Sequence, residues 1–190
     1  PQGLQGSHDV FPVGWTFSGT LIVSANSAGK ATSDTGLQPF DYARAFSRNI
    51  GWLTPDDQAK LRNSRIAIAG LGGVGGSHLL TLARLGVGKF NIADFDRFEL
   101  HNFNRQVGAT LSSLGQPKVE VLKRQALDIN PELEINAFAD GVTAENIRAF
   151  LTGVDVYVDG LDFFAVDARR RVFAACHELG IPAVTAAPLG

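Results

Sequence analysis

Gly70-Leu71-Gly72-Gly73-Val74-Gly75 forms a G-x-G-x-x-G turn directly after the apolar run Ile66-Ala67-Ile68-Ala69. A strand that enters such a turn and leaves it as a helix is how a Rossmann-type sheet holds a phosphate. Gly70 permits the tight turn. Gly72 and Gly73 let backbone N–H groups approach a phosphate, and Gly75 lets helix and strand pack closely. Leu79, Leu80, Leu82, Ala83 and Leu85 mark the helix that follows, and Gly86 and Gly88 end it. The next apolar run, Lys89–Ala93, is followed by Asp94, 19 residues after Gly75. An acidic group at that strand end is placed to accept hydrogen bonds from ribose hydroxyls.

Downstream the alternation continues. Lys118 opens a helix with Val119, Leu122, Ala126 and Ile129 at three- or four-residue spacing, and Asn130-Pro131 stops it. A strand over Glu134–Ala139 follows, then a helix capped by Thr143 with Ile147, Phe150 and Leu151 turned inward. Next come a strand over Val154–Val158 and a helix with Val172, Phe173, Cys176 and Leu179 on one face. Gly180 ends that helix, and a strand over Ala183–Ala187 comes last. Strands alternating with helices imply an α/β, Rossmann-like, doubly wound and mainly parallel sheet with helices on both faces. Ligands bind such sheets at the carboxyl ends of the strands.

Upstream, Tyr42, Phe46 and Ile50 recur at four-residue spacing and predict a helix over Phe40–Ile50. Thr54-Pro55-Asp56-Asp57 reads as a helix start, with a capping hydroxyl, a proline in the first turn and two carboxylates facing the positive end. Residues 1–36 differ from the rest. Val13, Trp15 and Phe17 alternate with small or polar residues, and Ser24 to Gly36 is rich in Ser, Gly, Ala and Thr. They read either as a hairpin and linker at the end of an upstream domain or as an ordered arm. Residues 37–190 then form one nucleotide-binding domain. The chain starts at Pro1, has no methionine and stops just after an apolar strand, as expected of a piece of a longer protein.

The 190 residues are 45% hydrophobic and 19% charged, ordinary values for a globular chain, and the net charge of -2 gives no global attraction to nucleic acid or anionic membrane. No apolar run is long enough for a membrane span, and no basic-then-apolar signal opens the chain. A single cysteine excludes an intrachain disulfide framework and points to a reducing, cytoplasmic setting. Cys176 reads as a buried structural thiol, Arg169-Arg170-Arg171 as a solvated helix face, and the four histidines have no metal-ligand spacing.

Three further segments surround the glycine turn with charge. In Asn102-Phe103-Asn104-Arg105-Gln106, Arg105 can fork onto phosphate oxygens and the amides can orient ribose or phosphate. In Gly115-Gln116-Pro117-Lys118, the lysine opens a helix whose amino end is already positive, a penalty that a phosphate held nearby would remove. In Asp159-Gly160-Leu161-Asp162, Asp162 can hold Mg²⁺, which takes few protein oxygens when phosphates supply the rest, and can cap the following helix at the same time. Asp96 either joins the site or orders its loop. These residues suggest nucleotidyl transfer rather than hydride transfer. A NAD- or FAD-binding oxidoreductase needs only the glycine turn and Asp94, and leaves Arg105, Lys118 and Asp162 without a use.

From about Phe40 to Gly190 the chain resembles the ThiF/MoeB-type adenylyltransferases, prokaryotic relatives of ubiquitin-activating enzymes. The resemblance rests on Arg48-Asn49-Ile50, Ser64 to Gly75, Asp94-Phe95-Asp96, Asn102 to Gln106, Gly115 to Val119, Asn130-Pro131 and Asp159 to Asp162, in that order. It implies ATP with Mg²⁺, and transfer of AMP to a carboxylate, usually the C-terminal glycine of a small ubiquitin-like or sulfur-carrier protein, with release of pyrophosphate. The nucleotide site is then expected to comprise Gly70, Gly72, Gly73, Gly75, Asp94, Asp96, Asn102, Asn104, Arg105, Gln106, Lys118, Asp162 and Phe163. Arg48, Arg105, Lys118 and Asp162 would be catalytic, and Asp162 would be the metal ligand. Arg48 matches the family's arginine finger, which reaches into the partner's site of a homodimer. Where the family often reads Arg-x-x-Arg-Gln, Ala45 and Asn49 stand here. Tyr42, Phe46, Ile50 and Trp52 around Arg48 are expected to bury against that partner. The family's catalytic thiol and zinc-binding cysteine pairs lie beyond Gly190. Asn102 to Gln106 and Gln116 to Glu120 also resemble the branch that dehydrates a carboxylate-bearing tRNA nucleoside.

Overall fold

Five short strands build the frame of the computed structural model, which describes residues 39–186. The readings of residues 1–36 and of Ala187 lie outside the described residues. The strands are β1 (Arg65–Ala69), β2 (Lys89–Ala93), β3 (Glu134–Phe138), β4 (Val156–Asp159) and β5 (Ala183–Thr185). All are parallel, in the order β3-β2-β1-β4-β5. The register pairs Ala69 with both Ala93 and Asp159, so the central strands end level with one another. The chain works outward from β1 to β3 and then returns to β4 on the other side of β1. That reversal opens the crevice in which such sheets bind ligands.

Side chains alternate faces along a strand, and here the alternation divides two cores. Ile66, Ile68, Phe90 and Ile92 pack with Leu79 and Ala83 of α3 (Gly73–Arg84) and with Val119, Leu122 and Ala126 of α4 (Lys118–Ile129). Ala67, Ala69, Ala93 and Tyr157 pack on the other face. Their neighbours are Phe150 and Leu151 of α5 (Ile147–Leu151) and Val172 and Cys176 of α6 (Val166–Leu179). Among the described residues no helix is long and apolar enough to cross a membrane.

The segment before β1 departs from the expected single helix. It contains a short helix, α1 (Tyr42–Ala45), and a 3-10 turn, Ser47–Asn49. Interactions with the end of α3 explain the break. Asn49 Nδ2 donates to Gln58 Oε1 at 2.9 Å and to the Leu85 carbonyl at 3.0 Å. Tyr42 Oη donates to the Gly86 carbonyl at 2.5 Å, and Gln58 Nε2 donates to Leu85 at 3.0 Å. These bonds satisfy carbonyls that a helix end leaves without intrahelical partners. Tyr42 and Phe46 are thereby buried within their own chain, contrary to the expectation that they await a partner. α2 (Pro55–Asn63) starts as expected, with a reciprocal box between Thr54 and Asp57.

Smaller differences have local causes. Val154 belongs to the turn after α5, its N–H bonded to the Leu151 carbonyl, so β4 begins later and includes Asp159. Thr143 exchanges hydrogen bonds with Asn146 in the turn that leads into α5, and Asn146 is the cap residue itself. Leu179 is exposed. Gly180 is left-handed (φ 67°) and the Ile181 N–H returns to the Cys176 carbonyl, so Ile181 packs on the core in its place.

Candidate functional site

At the carboxyl ends of the strands lies a cavity of about 660 Å³. Its floor is the glycine turn. Gly70 has φ 80°, and a Cβ there would strike the Gly160 carbonyl. A Cβ at Gly75 would overlap the Gly70 carbonyl oxygen, and one at Gly160 would come within 2.8 Å of the Gly75 Cα. Three glycines, including Gly160, which the G-x-G-x-x-G pattern does not cover, therefore let α3 start tight against β1 and β4. Gly72 caps α3 without a side-chain bond, and Gly72, Gly73 and Val74 line the cavity, so its floor carries the positive helix end. Gly75 is buried behind this surface.

At the β2 end, Asp94 is largely buried. Its Oδ2 accepts the Leu71 N–H at 2.6 Å and its Oδ1 the Asp96 N–H at 2.8 Å, so it ties the glycine turn to the loop beyond β2 while lining the cavity. Asp96 is half exposed and pairs with Lys118 Nζ at 3.0 Å. Lys118 is 5% exposed, so its side chain does not swing into solvent. Asp96, rather than a phosphate alone, offsets the unfavourable helix end. The Lys118 N–H also donates to the Asp96 carbonyl at 2.9 Å, which fixes α4 to the site.

The loop between β2 and α4 forms one wall. Asn102 is buried, with its Oδ1 accepting the Glu99 N–H at 2.9 Å. Gln106 is 7% exposed, and its buried Oε1 has no hydrogen-bond partner. Arg105 packs its stem near Gly73, and its Nη1 donates to the His101 carbonyl and to Asn104 Oδ1. Asn104 does not line the cavity and acts on it only through Arg105. At the β4 end, Asp162 and Phe163 line the cavity, and Asp162 Oδ1 accepts the Phe164 N–H at 3.0 Å. Ala165, not Asp162, occupies the cap position of α6. Arg48 is exposed and does not line its own chain's cavity.

Among the lining residues that the sequence reading did not assign to the site, two are an acid and a base, Asp159 and Arg169. Asp159 is 2% exposed, and Arg169 donates to it from Nε at 2.6 Å. The expected solvated arginine face is thus wrong at Arg169. The available signal was an acidic residue ending a buried strand, which requires a cation nearby. Burial, with Asp159 beside it, pushes the Tyr157 phenol pKa far up, so the hydroxyl remains a donor.

The donor set fits a magnesium nucleotide. An orphaned amide oxygen on Gln106 can accept from a hydroxyl, uncapped helix N–H groups can receive phosphate, and Asp162 keeps one oxygen free for Mg²⁺. Among the described residues no three His, Cys, Asp or Glu side chains cluster as a self-sufficient metal site. A cation here would therefore depend on oxygens brought by the nucleotide.

Known proteins share this fold. The chain is 36% identical over 141 residues to a tRNA threonylcarbamoyladenosine dehydratase of Bacillus subtilis, covering 74% of this chain and 55% of that one. It is 35% identical over 152 residues to the sulfur carrier protein ThiS adenylyltransferase of Escherichia coli, covering 79% and 59%. The E. coli tRNA N6-threonylcarbamoyladenosine dehydratase solved in complex with ATP superposes with a TM-score of 0.72 at 27% identity, covering 82% of this chain and 61% of that one. The chain thus spans little more than half the length of these relatives. Residues 46–190 match the ThiF family, and the chain belongs to that family.

Proposed function

We propose that this domain binds ATP with Mg²⁺ and activates a carboxylate as an acyl-adenylate, releasing pyrophosphate. The carboxylate is the C-terminal glycine of a ubiquitin-like or sulfur-carrier protein. The observation that carries the reading is the charged set ringing one cavity, with Arg105, Lys118 and Asp162 around an uncapped helix start. A NAD enzyme has no use for that set.

A carboxylate oxygen of the acceptor attacks the α-phosphorus. The bond from that phosphorus to the bridging oxygen breaks, and the electron pair leaves with pyrophosphate. The protein's task is positioning and charge stabilisation. Gly72, Gly73 and Val74 present N–H groups to phosphate, while Arg105 and Lys118 counter charge developing on the leaving group. Asp94 and Gln106 orient the ribose. Mg²⁺ on Asp162 would neutralise the polyphosphate.

Titration calorimetry with ATP·Mg²⁺ and with NAD tests the nucleotide. ATP–pyrophosphate exchange dependent on an added sulfur-carrier protein tests the acceptor. Tight NAD binding without response to ATP·Mg²⁺ would reject the proposal. A second reading, activation of the carboxylate of a tRNA nucleoside, is favoured by the dehydratase relatives. Exchange stimulated by threonylcarbamoylated tRNA but not by the carrier protein would select it. Both readings place the protein in a reducing cytoplasm, in keeping with its single cysteine.

A further inference from the structure

Asp159, at the end of β4, collects four donors. They are Arg169 Nε at 2.6 Å, Thr185 Oγ1 at 2.9 Å, Tyr157 Oη at 3.1 Å and the Leu161 N–H at 3.3 Å. Removing a carboxylate from water is costly unless a cation meets it, and Arg169 is that cation. The guanidinium is planar, so once Nε is committed the directions of its other donors are set. Nη2 donates to the carbonyls of Leu161 at 2.8 Å and Asp162 at 3.1 Å, and Nη1 to that of Phe163 at 3.2 Å. One side chain therefore holds three consecutive carbonyls of the loop that carries Asp162. The Asp162 side chain itself makes a single hydrogen bond, to the Phe164 N–H.

We propose that Arg169, pinned by Asp159, is a positioning residue that fixes the backbone of residues 161–163 and thereby sets the Asp162 carboxylate at the cavity edge. The proposal rests on the reading of Asp162 as the residue that meets Mg²⁺ on the nucleotide. It accounts for an ion pair, buried at Asp159 and partly exposed at Arg169, whose two members belong to the strand and the helix on either side of that loop. A lysine at 169 would keep a charge for Asp159, but a point cation cannot span three carbonyls in a fixed fork.

The test compares wild type, Arg169→Lys and Asp162→Ala in the full chain. One readout is hydrogen–deuterium exchange over residues 161–165 without nucleotide. The other is ATP affinity by calorimetry, measured with Mg²⁺ and with EDTA. Arg169→Lys is expected to raise loop exchange and to reduce the Mg²⁺-dependent gain in ATP affinity, each about tenfold, the order of one charge-assisted hydrogen bond. In EDTA the loss of affinity should be smaller than the loss with Mg²⁺. The double variant Arg169→Lys/Asp162→Ala should bind no worse than Asp162→Ala alone, because both changes remove the same contact. Asp159→Asn, which loosens the pair from the other side, should reproduce both effects and serves if Arg169→Lys does not fold. Wild-type loop exchange, an unchanged Mg²⁺-dependent gain, or losses that multiply in the double variant would each overturn the proposal. A wild-type protein that binds no ATP would instead reject the nucleotide reading, and loop exchange would then decide the anchoring by Arg169 alone.

Discussion

Lys118 is already desolvated and already paired with Asp96, so a polyphosphate beside it gains a cation with little further dehydration. Arg105 differs, being exposed and using only Nη1 on protein acceptors. Lys118→Ala and Arg105→Ala are each expected to slow pyrophosphate exchange about a hundredfold, or about 3 kcal/mol, the size of one lost preorganised donor. The double variant should fall short of the product, because both act on one polyphosphate. Wild-type rates in both variants would remove them from the phosphate site. Cys176 carries the opposite expectation. Burial raises its thiol pKa, so the protonated form dominates at neutral pH and the nucleophilic thiolate is scarce. Cys176→Ala should leave exchange intact and cost about 1 kcal/mol of stability in urea titrations. Labelling of the native protein by a thiol reagent as fast as free cysteine would contradict the burial. Arg169 and Asn49 resist reading from the chain for one reason. Each acts on main-chain carbonyls that only the folded loop or helix end brings near, and neither leaves a periodic trace.

At the scale of elements, the start of α2 and the start of α3 make contrasting tests. Thr54 Oγ1 both accepts the Asp57 N–H at 3.1 Å and donates to Asp57 Oδ2 at 2.6 Å. The hydroxyl bond, and the Thr54 N–H that donates to the same oxygen at 3.2 Å, hold the Asp57 carboxyl below the usual carboxylate range. A folded-state pKa below the unfolded one gives stability that is present above the unfolded value and lost as pH falls through the folded value. Thr54→Ala removes the capping hydroxyl and should cost about 1 kcal/mol near neutral pH, the usual loss for an N-cap. In acid the cost should shrink without vanishing, since the N–H bond outlasts protonation of Asp57. Urea midpoints at the two pH values check this, and a cost independent of pH would show that the carboxylate adds nothing. Gly75→Ala would place a Cβ on the Gly70 carbonyl oxygen, and backbone cannot swing aside as a side chain can. A loss of about 1–3 kcal/mol is expected, together with weaker ATP binding as the turn shifts. Both starts were legible in sequence because capping residues and glycine turns act within a few residues. The broken 40–50 helix was not, because its partners, Leu85 and Gly86, lie some forty residues away.

At the scale of the whole molecule, strand and helix periodicity was enough to read the doubly wound sheet, since alternate residues on β1 must serve two cores. Asn49 is bonded to the carboxyl end of α3, whereas the cavity lies at that helix's amino end. The helix has 12 residues, about 18 Å of rise, which is farther than an arginine side chain spans. Arg48 therefore does not reach the cavity of its own chain. Ile50 and Trp52 beside it remain 47% and 66% exposed, while Tyr42 and Phe46 are committed to their own chain, so the apolar surface available to a partner is narrower than the sequence suggested. We predict a symmetric homodimer in which Arg48 completes the neighbour's site, an isologous arrangement that supplies both sites at once. Arg48→Ala protein and Asp162→Ala protein should each be inactive alone. If subunits exchange at random in an equal mixture, half the dimers are mixed. Each mixed dimer holds one site with intact Asp162 and an intact Arg48 from across the interface, so about a quarter of wild-type exchange should return. Sedimentation of the full chain gives the assembly independently. A fully active monomer, or no rescue in a mixture whose exchange has been demonstrated, would return Arg48 to the solvent.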